Sequence, residues 1–237
     1  MIGVYDSGLG GLLSLNQIYK DYPLETIIYF GDSTNAPYGN KDKKDIKNLI
    51  DQNIKMLKDI GVDDLVLACN TICSIVDFNH DYGLKLHDII TKTVAQLNID
   101  PNKKVFVFAT KASIESGRYQ KELYKLGYTN SEYFYLEKLA SYIEEFKSHD
   151  EIKEYLYSEF KKIENKPDAI ILGCTHFPVV EDIFKEYFTV PIYNSRNLHF
   201  NISEKNEGSK ILIKMKKSDA LERFLGTYVN VPYEYYV

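Results

Sequence analysis

Two of the three cysteines stand in matched settings. "DDLVLACNTIC" (63–73) and "PDAIILGCTHFP" (167–178) each run through an aspartate, an apolar stretch, one small residue, a cysteine and two polar residues, with Asp63 and Asp168 each six positions ahead of the thiol. A cysteine that ends a strand and opens a helix meets the positive end of the helix dipole and unpaired N–H groups. Both lower its pKa below the free value of about 8.5 and fit it for proton transfer near neutral pH. Either cysteine alone is better read as a small buried hydrophobe. Cys69 and Cys174 together, each followed by polar residues where a core would want apolar ones, point to acid/base work. Cys73 lies one helical turn after Cys69 without a counterpart in the second segment and reads as helix packing.

Further polar groups fall at similar points. "DSGLGG" (6–11) follows the apolar run "IGVY" and carries Asp6; its spacing fits neither the dinucleotide fingerprint nor the P-loop, so it suits a carboxylate ligand as well as a phosphate. "GDSTNAPYGNK" (31–41) follows the second apolar run and reads as a shaped loop, with Gly31, Pro37 and Gly39. His176, two residues after Cys174, is the one histidine beside a candidate site; His80, His87, His149 and His199 read as solvated or locally bonded. A rival reading takes Cys69, Cys73, Cys174 and His176 as zinc ligands, but one C-x3-C and a distant C-x-H make a poor structural zinc pattern.

What positions these groups is an alternation of short apolar runs with longer segments of helical period, the signature of a parallel α/β sheet. "IGVY", "TIIYF" and "LVLA" alternate with helical segments at 10–21, 42–60 and 71–79. Within 42–60, Ile46, Leu49, Ile50, Ile54, Leu57 and Ile60 form one stripe, and Gly61 stops it. After the polar connection "NIDPNKK" the pattern restarts: "VFVFA", a helix over 112–126, "EYFYL", helices within 137–163, "AIILG", a helix over 178–188, and "VPIY". The tail from 195 carries "ILIKM" and a helix over 218–225, and is expected to pack back on the first unit. The reading is therefore two α/β domains, residues 1–97 with 196–237 and residues 98–195. Ligands of parallel sheets bind beyond the strand carboxyl ends, where both cysteines fall, so the two are expected to look into one cleft.

Composition restricts the function classes. The 237 residues are 44% hydrophobic and 27% charged, ordinary for a globular protein. Net charge is −5 and the pI about 5.6, which does not favour nucleic acid. No apolar run approaches the ~20 residues that span a bilayer, and "MIGVYDSG" lacks a basic region before an apolar core, so no membrane partner and a cytoplasmic location are expected. Three cysteines are too few and too odd for a disulfide framework, which leaves reduced thiols.

"IGVYDSGLGG", "YFGDSTNAPYGNK", "LVLACNT" and "ILGCTHFP" occur in the order and spacing of the glutamate racemases, which interconvert L- and D-glutamate without a cofactor. The resemblance covers residues 2–178, about three quarters of the chain, and continues more weakly in "FVFATKASIESGRY" and "LERFLG". It implies two pseudo-symmetric α/β domains with the active site between them, glutamate as the small-molecule substrate, a product used in cell-wall peptidoglycan, no cofactor or metal, and a homodimer. Carried over by motif, Cys69 and Cys174 are the two bases, assisted by Asp6 and His176. Ser7, Pro37, Tyr38, Gly39, Asn70, Thr71 and Thr175 hold the amino acid's charged groups, Ser113 stands where the family has threonine, and Glu144 matches an assisting acidic residue near the partner of His176. The chain departs from the family at Ile72 and Cys73, at "LEKLASYIEE" in place of a Cys-Pro, and after "VPIYNS", where an expected helix is lacking. The nearest alternatives are an aspartate racemase and an amino-acid-binding homologue without turnover.

Overall fold

Strands buried on both faces appear in a sequence as unbroken apolar runs, and the computed structural model places each such run in a parallel sheet. It describes residues 1–38, 42–206 and 208–236. In chain order the first elements are β1 (Ile2–Asp6), a 3-10 turn at Gly10–Ser14, α1 (Leu15–Asp21), β2 (Thr26–Gly31), α2 (Lys43–Asp59), β3 (Asp64–Leu67), α3 (Asn70–Ile75), β4 (Lys85–Asp88) and α4 (Ile89–Ala95). There follow β5 (Val105–Ala109), α5 (Lys111–Glu115), α6 (Arg118–Lys125), β6 (Ser131–Tyr135), α7 (Leu139–Glu144), α8 (His149–Phe160), β7 (Ala169–Gly173), a 3-10 turn at Phe177–Val180, α9 (Glu181–Tyr187) and β8 (Ile192–Asn194). The chain closes with β9 (Lys210–Lys214), α10 (Asp219–Tyr228) and β10 (Glu234–Tyr235).

These elements form two compact units, Met1–Ile89 with Arg196–Val237, and Ile90–Ser195. The passage into the second unit falls at the start of α4, ahead of the polar connection at 98–104. In the first unit the strand order is β10-β9-β2-β1-β3-β4, and in the second it is β6-β5-β7-β8, with every pairing parallel. The run β2-β1-β3-β4 has the same connectivity as β6-β5-β7-β8: the first strand is central, the second lies on one side, and the third and fourth lie on the other. The tail extends the first sheet, since β9 pairs with β2 from Thr26↔Lys210 to Phe30↔Lys214 and β10 pairs with β9.

Every residue of β1, β3, β5 and β7 is buried, so these four strands hold the cores. The helices cover them with one face. In α2 the buried residues are Ile46, Ile50, Ile54 and Leu57, and Asp42 caps the helix by accepting from the Lys44 N–H at 2.8 Å. Burying side chains of this size contributes roughly 1.5–3 kcal/mol each. The helix expected over 112–126 is broken at Gly117, whose φ of 71° admits no ordinary side chain without strain. The expected 137–163 segment breaks after α7, and α8 restarts with a capping box between Ser148 and Glu151. The helix expected over 71–79 ends at Ile75.

After β8 the stretch Arg196–Asn206 contains no helix. Its backbone is instead tied to the first unit: the Tyr22 hydroxyl donates to the Phe200 carbonyl and accepts from the Ile202 N–H, while buried Glu25 accepts from the N–H groups of Lys205 and Asn206.

Candidate active site

In the first unit β1 and β3 are neighbours in register, Tyr5 opposite Leu67, so the residues that follow them emerge side by side. Cys69 sits two residues past β3, at the N-terminus of α3, and Ser7 one residue past β1; Ser7 Oγ is 3.2 Å from Cys69 Sγ. Asp6 ends β1, is 1% exposed, and accepts the Gly8 N–H at 2.6 Å, which turns the chain sharply. Gly11 has to be glycine, because a Cβ there would lie 2.7 Å from the Asp6 Cβ and 3.0 Å from the Ala68 carbonyl oxygen. Asn70 and Thr71, both buried, form the first turn of α3.

The expectation that the helix terminus lowers the Cys69 pKa is reversed by its surroundings. Burial first, and then the negative charge of Asp6, push this thiol up to about 12. The Ser7 hydroxyl and the N–H groups of Ile72 and Ser7 act in the opposite direction and are outweighed. A short helix offers a weak dipole against the cost of burying a thiolate. Burial and Asp6 therefore favour the thiol form of Cys69 at neutral pH. Cys73 is buried and points back into the unit, its thiol donating to the Leu67 carbonyl at 3.2 Å.

The loop after β2 differs from its expected role in one respect. Pro37 is exposed, but the Tyr38 side chain is only 1% exposed and its hydroxyl donates to Asp32 Oδ2 at 2.6 Å, so that hydroxyl is directed into the protein. Gly39 lies outside the described residues.

In the second unit β5 and β7 are the corresponding neighbours, with Ala109 opposite Gly173. Cys174, Thr175 and His176 follow β7 directly and are buried. His176 Nδ1 is 3.7 Å from Cys174 Sγ, and its Nε2 is 2.8 Å from Glu144 Oε1 at the end of α7. Burial opposes charge on this imidazole, but the bonds to Cys174 and Glu144 outweigh it and raise its pKa well above the ordinary histidine value. Ser113 is fully buried at the start of α5, with its hydroxyl 2.8 Å from Thr110 Oγ1.

The structure thus gathers Asp6, Ser7, Cys69, Asn70 and Thr71 at one strand end of the first unit, and Cys174, Thr175, His176 and Glu144 at one strand end of the second. Among the described residues no three His, Cys, Asp or Glu side chains are grouped to hold a metal ion. Sequence reasoning missed Asp32, Tyr5, Asn53 and Thr110. Asp32 was inside a motif already singled out, and Asn53 was a polar residue on the buried side of α2. Of the other histidines, His87 is buried, with Nε2 2.7 Å from Asp64 Oδ1.

Comparison with known proteins agrees with this geometry. Residues 12–202 match the family described as Asp/Glu/Hydantoin racemase. The glutamate racemase of Campylobacter jejuni is 35% identical over 195 residues, covering 79% of this chain and 77% of that protein. The crystal structure of a glutamate racemase from the same species superposes with a TM-score of 0.83 at 31% identity, over 96% of each chain. That of the Francisella tularensis glutamate racemase in complex with D-glutamate gives 0.83 at 26% identity, over 99% of this chain and 95% of that one. Thiols after the third strand of two like-connected sheets, a family match across most of the chain and this degree of identity lead to one conclusion: the chain belongs to the Asp/Glu/Hydantoin racemase family and is an amino acid racemase.

Proposed function

We propose that the substrate is glutamate and that Cys69 and Cys174 exchange its α-proton by a two-base mechanism. The observation that carries the mechanism is the equivalent placement of the two thiols, each directly beyond the third strand of a sheet with the same connectivity. The observation that favours glutamate is the set of named glutamate racemases among the relatives, one of them solved with D-glutamate.

Inverting a carbon centre requires that a proton leave one face and another arrive on the opposite face. In one direction the Cys174 thiolate takes the α-hydrogen, the C–H electron pair passes into the carboxylate as an ene-diolate, and the Cys69 thiol delivers its proton to the other face. The enzyme is then left with Cys69 as thiolate and Cys174 as thiol, which is the state that runs the reverse direction. The two thiols support these roles differently. Cys69 is held as a thiol by burial and Asp6, so it is primed to donate. Cys174 lies beside an imidazole that Glu144 helps to keep protonated, so a thiolate there has a counter-ion.

A positioned base contributes about 10² to 10⁴-fold, too little alone for an α-proton this weakly acidic. The rest must come from hydrogen bonds to the substrate's charged groups, which strengthen as charge moves onto the carboxylate. Ser7, Asn70, Thr71 and Thr175, with the backbone of Pro37 and Tyr38, are the groups proposed to supply them. Asp6 and His176 assist the thiols, and the D-glutamate formed serves peptidoglycan synthesis.

The test is to incubate the protein with L-glutamate or L-aspartate in deuterated water, following optical rotation and the α-proton resonance, for wild type, Cys69→Ser and Cys174→Ser. Early D-glutamate carrying deuterium, beside L-glutamate that still carries hydrogen, is the expected two-base pattern, and both variants are expected to lose racemisation. Exchange of aspartate alone would refute the glutamate assignment, and racemisation by either variant would refute the two-thiol scheme.

A further inference from the structure

The carboxyl ends of β1 and β2 enclose a buried polar cluster that the proposed chemistry does not use. Asp32 lies one residue beyond β2 and is 6% exposed. Its Oδ2 accepts from the Tyr38 hydroxyl at 2.6 Å and from Asn53 Nδ2 at 3.1 Å, while Asn35 Nδ2 lies 3.0 Å from each of its oxygens. Tyr5, fully buried in β1, has its hydroxyl 2.8 Å from that of Tyr38, and Asn53 reaches both at 2.9 and 3.2 Å. The Asp32 N–H donates to the carbonyl of Asp6 at 3.1 Å.

A buried carboxylate is expensive, and a well-packed apolar group of the same volume stabilises a fold as well or better. What such a group supplies is geometry, provided every polar atom is satisfied, and here Asp32 is met from three side chains. Its main chain grips the strand end that carries Asp6, while its side chain grips the loop at Tyr38. Burial, reinforced at Tyr38 by the neighbouring Tyr5 and Asp32, raises both phenol pKa values far above normal, so both hydroxyls remain protonated.

We infer that Asp32 is a positioning residue for substrate binding: through Tyr38, and with Tyr5 and Asn53, it locks the Pro37–Tyr38 backbone in register with the strand end that bears Asp6 and Ser7. This rests on the racemase reading above. The network touches neither thiol by hydrogen bond, so its loss acts on how substrate is held more than on the proton transfers. An amide at position 32 cannot accept from Tyr38, Asn53 and Asn35 at once, and loosening a charged anchor of this kind costs about tenfold in affinity.

The experiment is steady-state racemisation of both glutamate enantiomers by wild type, Asp32→Asn, Tyr38→Phe and the double variant, with thermal unfolding on the same samples. The expected result is a KM raised about tenfold in Asp32→Asn with kcat within about twofold, a smaller rise in Tyr38→Phe, and a double variant no worse than Asp32→Asn alone. Because the enantiomers have equal free energy, kcat/KM has to fall equally in both directions. If Asp32→Asn does not fold, Tyr38→Phe decides by the same split. An unchanged KM with kcat reduced in proportion to the folded fraction, or multiplying losses in the double variant, overturns the assignment while leaving the racemase reading intact. A wild type that racemises no amino acid overturns both.

Discussion

His176 Nε2 is 2.8 Å from Glu144 Oε1, joining the segment after β7 to the end of α7 across 32 positions of sequence. This contact fixes the ring so that its other nitrogen faces Cys174, and it helps to keep the imidazole charged. Glu144→Gln keeps the shape and removes the charge. The expected outcome is a kcat about tenfold lower and an alkaline limb of the pH–rate profile displaced to lower pH. A profile that keeps its alkaline limb would show that Glu144 does not tune this histidine.

Asp6 and Ser7 act on the Cys69 thiol with opposite signs. The Asp6 charge raises its pKa, and the Ser7 hydroxyl lowers it. Asp6→Asn is expected to bring thiolate absorbance near 240 nm to lower pH, and Ser7→Ala to move it higher, in a background where Cys73 and Cys174 are alanine. Shifts in the same direction in both variants would contradict this assignment.

Burial of the Cys69 thiol makes stability depend on pH with a definite sign. The folded-state pKa is about 12 against a reference of 9.0, so between these values the unfolded chain has released the proton that the folded chain keeps. Stability is then lost as pH rises, at up to about 1.4 kcal/mol per pH unit from this group. Denaturant unfolding of wild type and Cys69→Ala from pH 8 to pH 10.5 checks it: the variant should show the shallower decline.

Cys73 is expected to be dispensable for chemistry. Its side chain is 1% exposed and its thiol donates to the Leu67 carbonyl inside the unit. Cys73→Ala should cost about 1–2 kcal/mol through the small cavity it leaves and keep wild-type kcat/KM. A large loss of activity at unchanged stability would place Cys73 in the reaction.

The legible parts of this fold were those whose signal is local. Four buried strands announced themselves as apolar runs, and α2 as an apolar stripe ending at Gly61. β4 and α4 were not legible: Lys85–Asp88 has no apolar run, with Lys85 exposed and His87 buried against Asp64, and it is a strand because β3 offers a free edge. The division of one expected helix into α5 and α6 depended on the positive φ of Gly117. Within the candidate site, the matched cysteines and His176 could be read from spacing, because equivalent positions in two like units leave equivalent sequence marks. Glu144 had no such mark, since its contact with His176 is made by packing α7 against the segment after β7.

By itself the sequence determined the two parallel sheets, the strand ends that bear Cys69 and Cys174, and the family to which four motifs in register belong, because apolar period and motif spacing are properties of the chain. Only the tertiary structure decided the state of the groups placed there. It turned the Tyr38 hydroxyl inward to Asp32, and it raised the Cys69 pKa although a helix begins there. The physical reason is that desolvation and Coulomb terms depend on which residues surround a group in space, and Asp6 stands beside Cys69 only once β1 and β3 have paired.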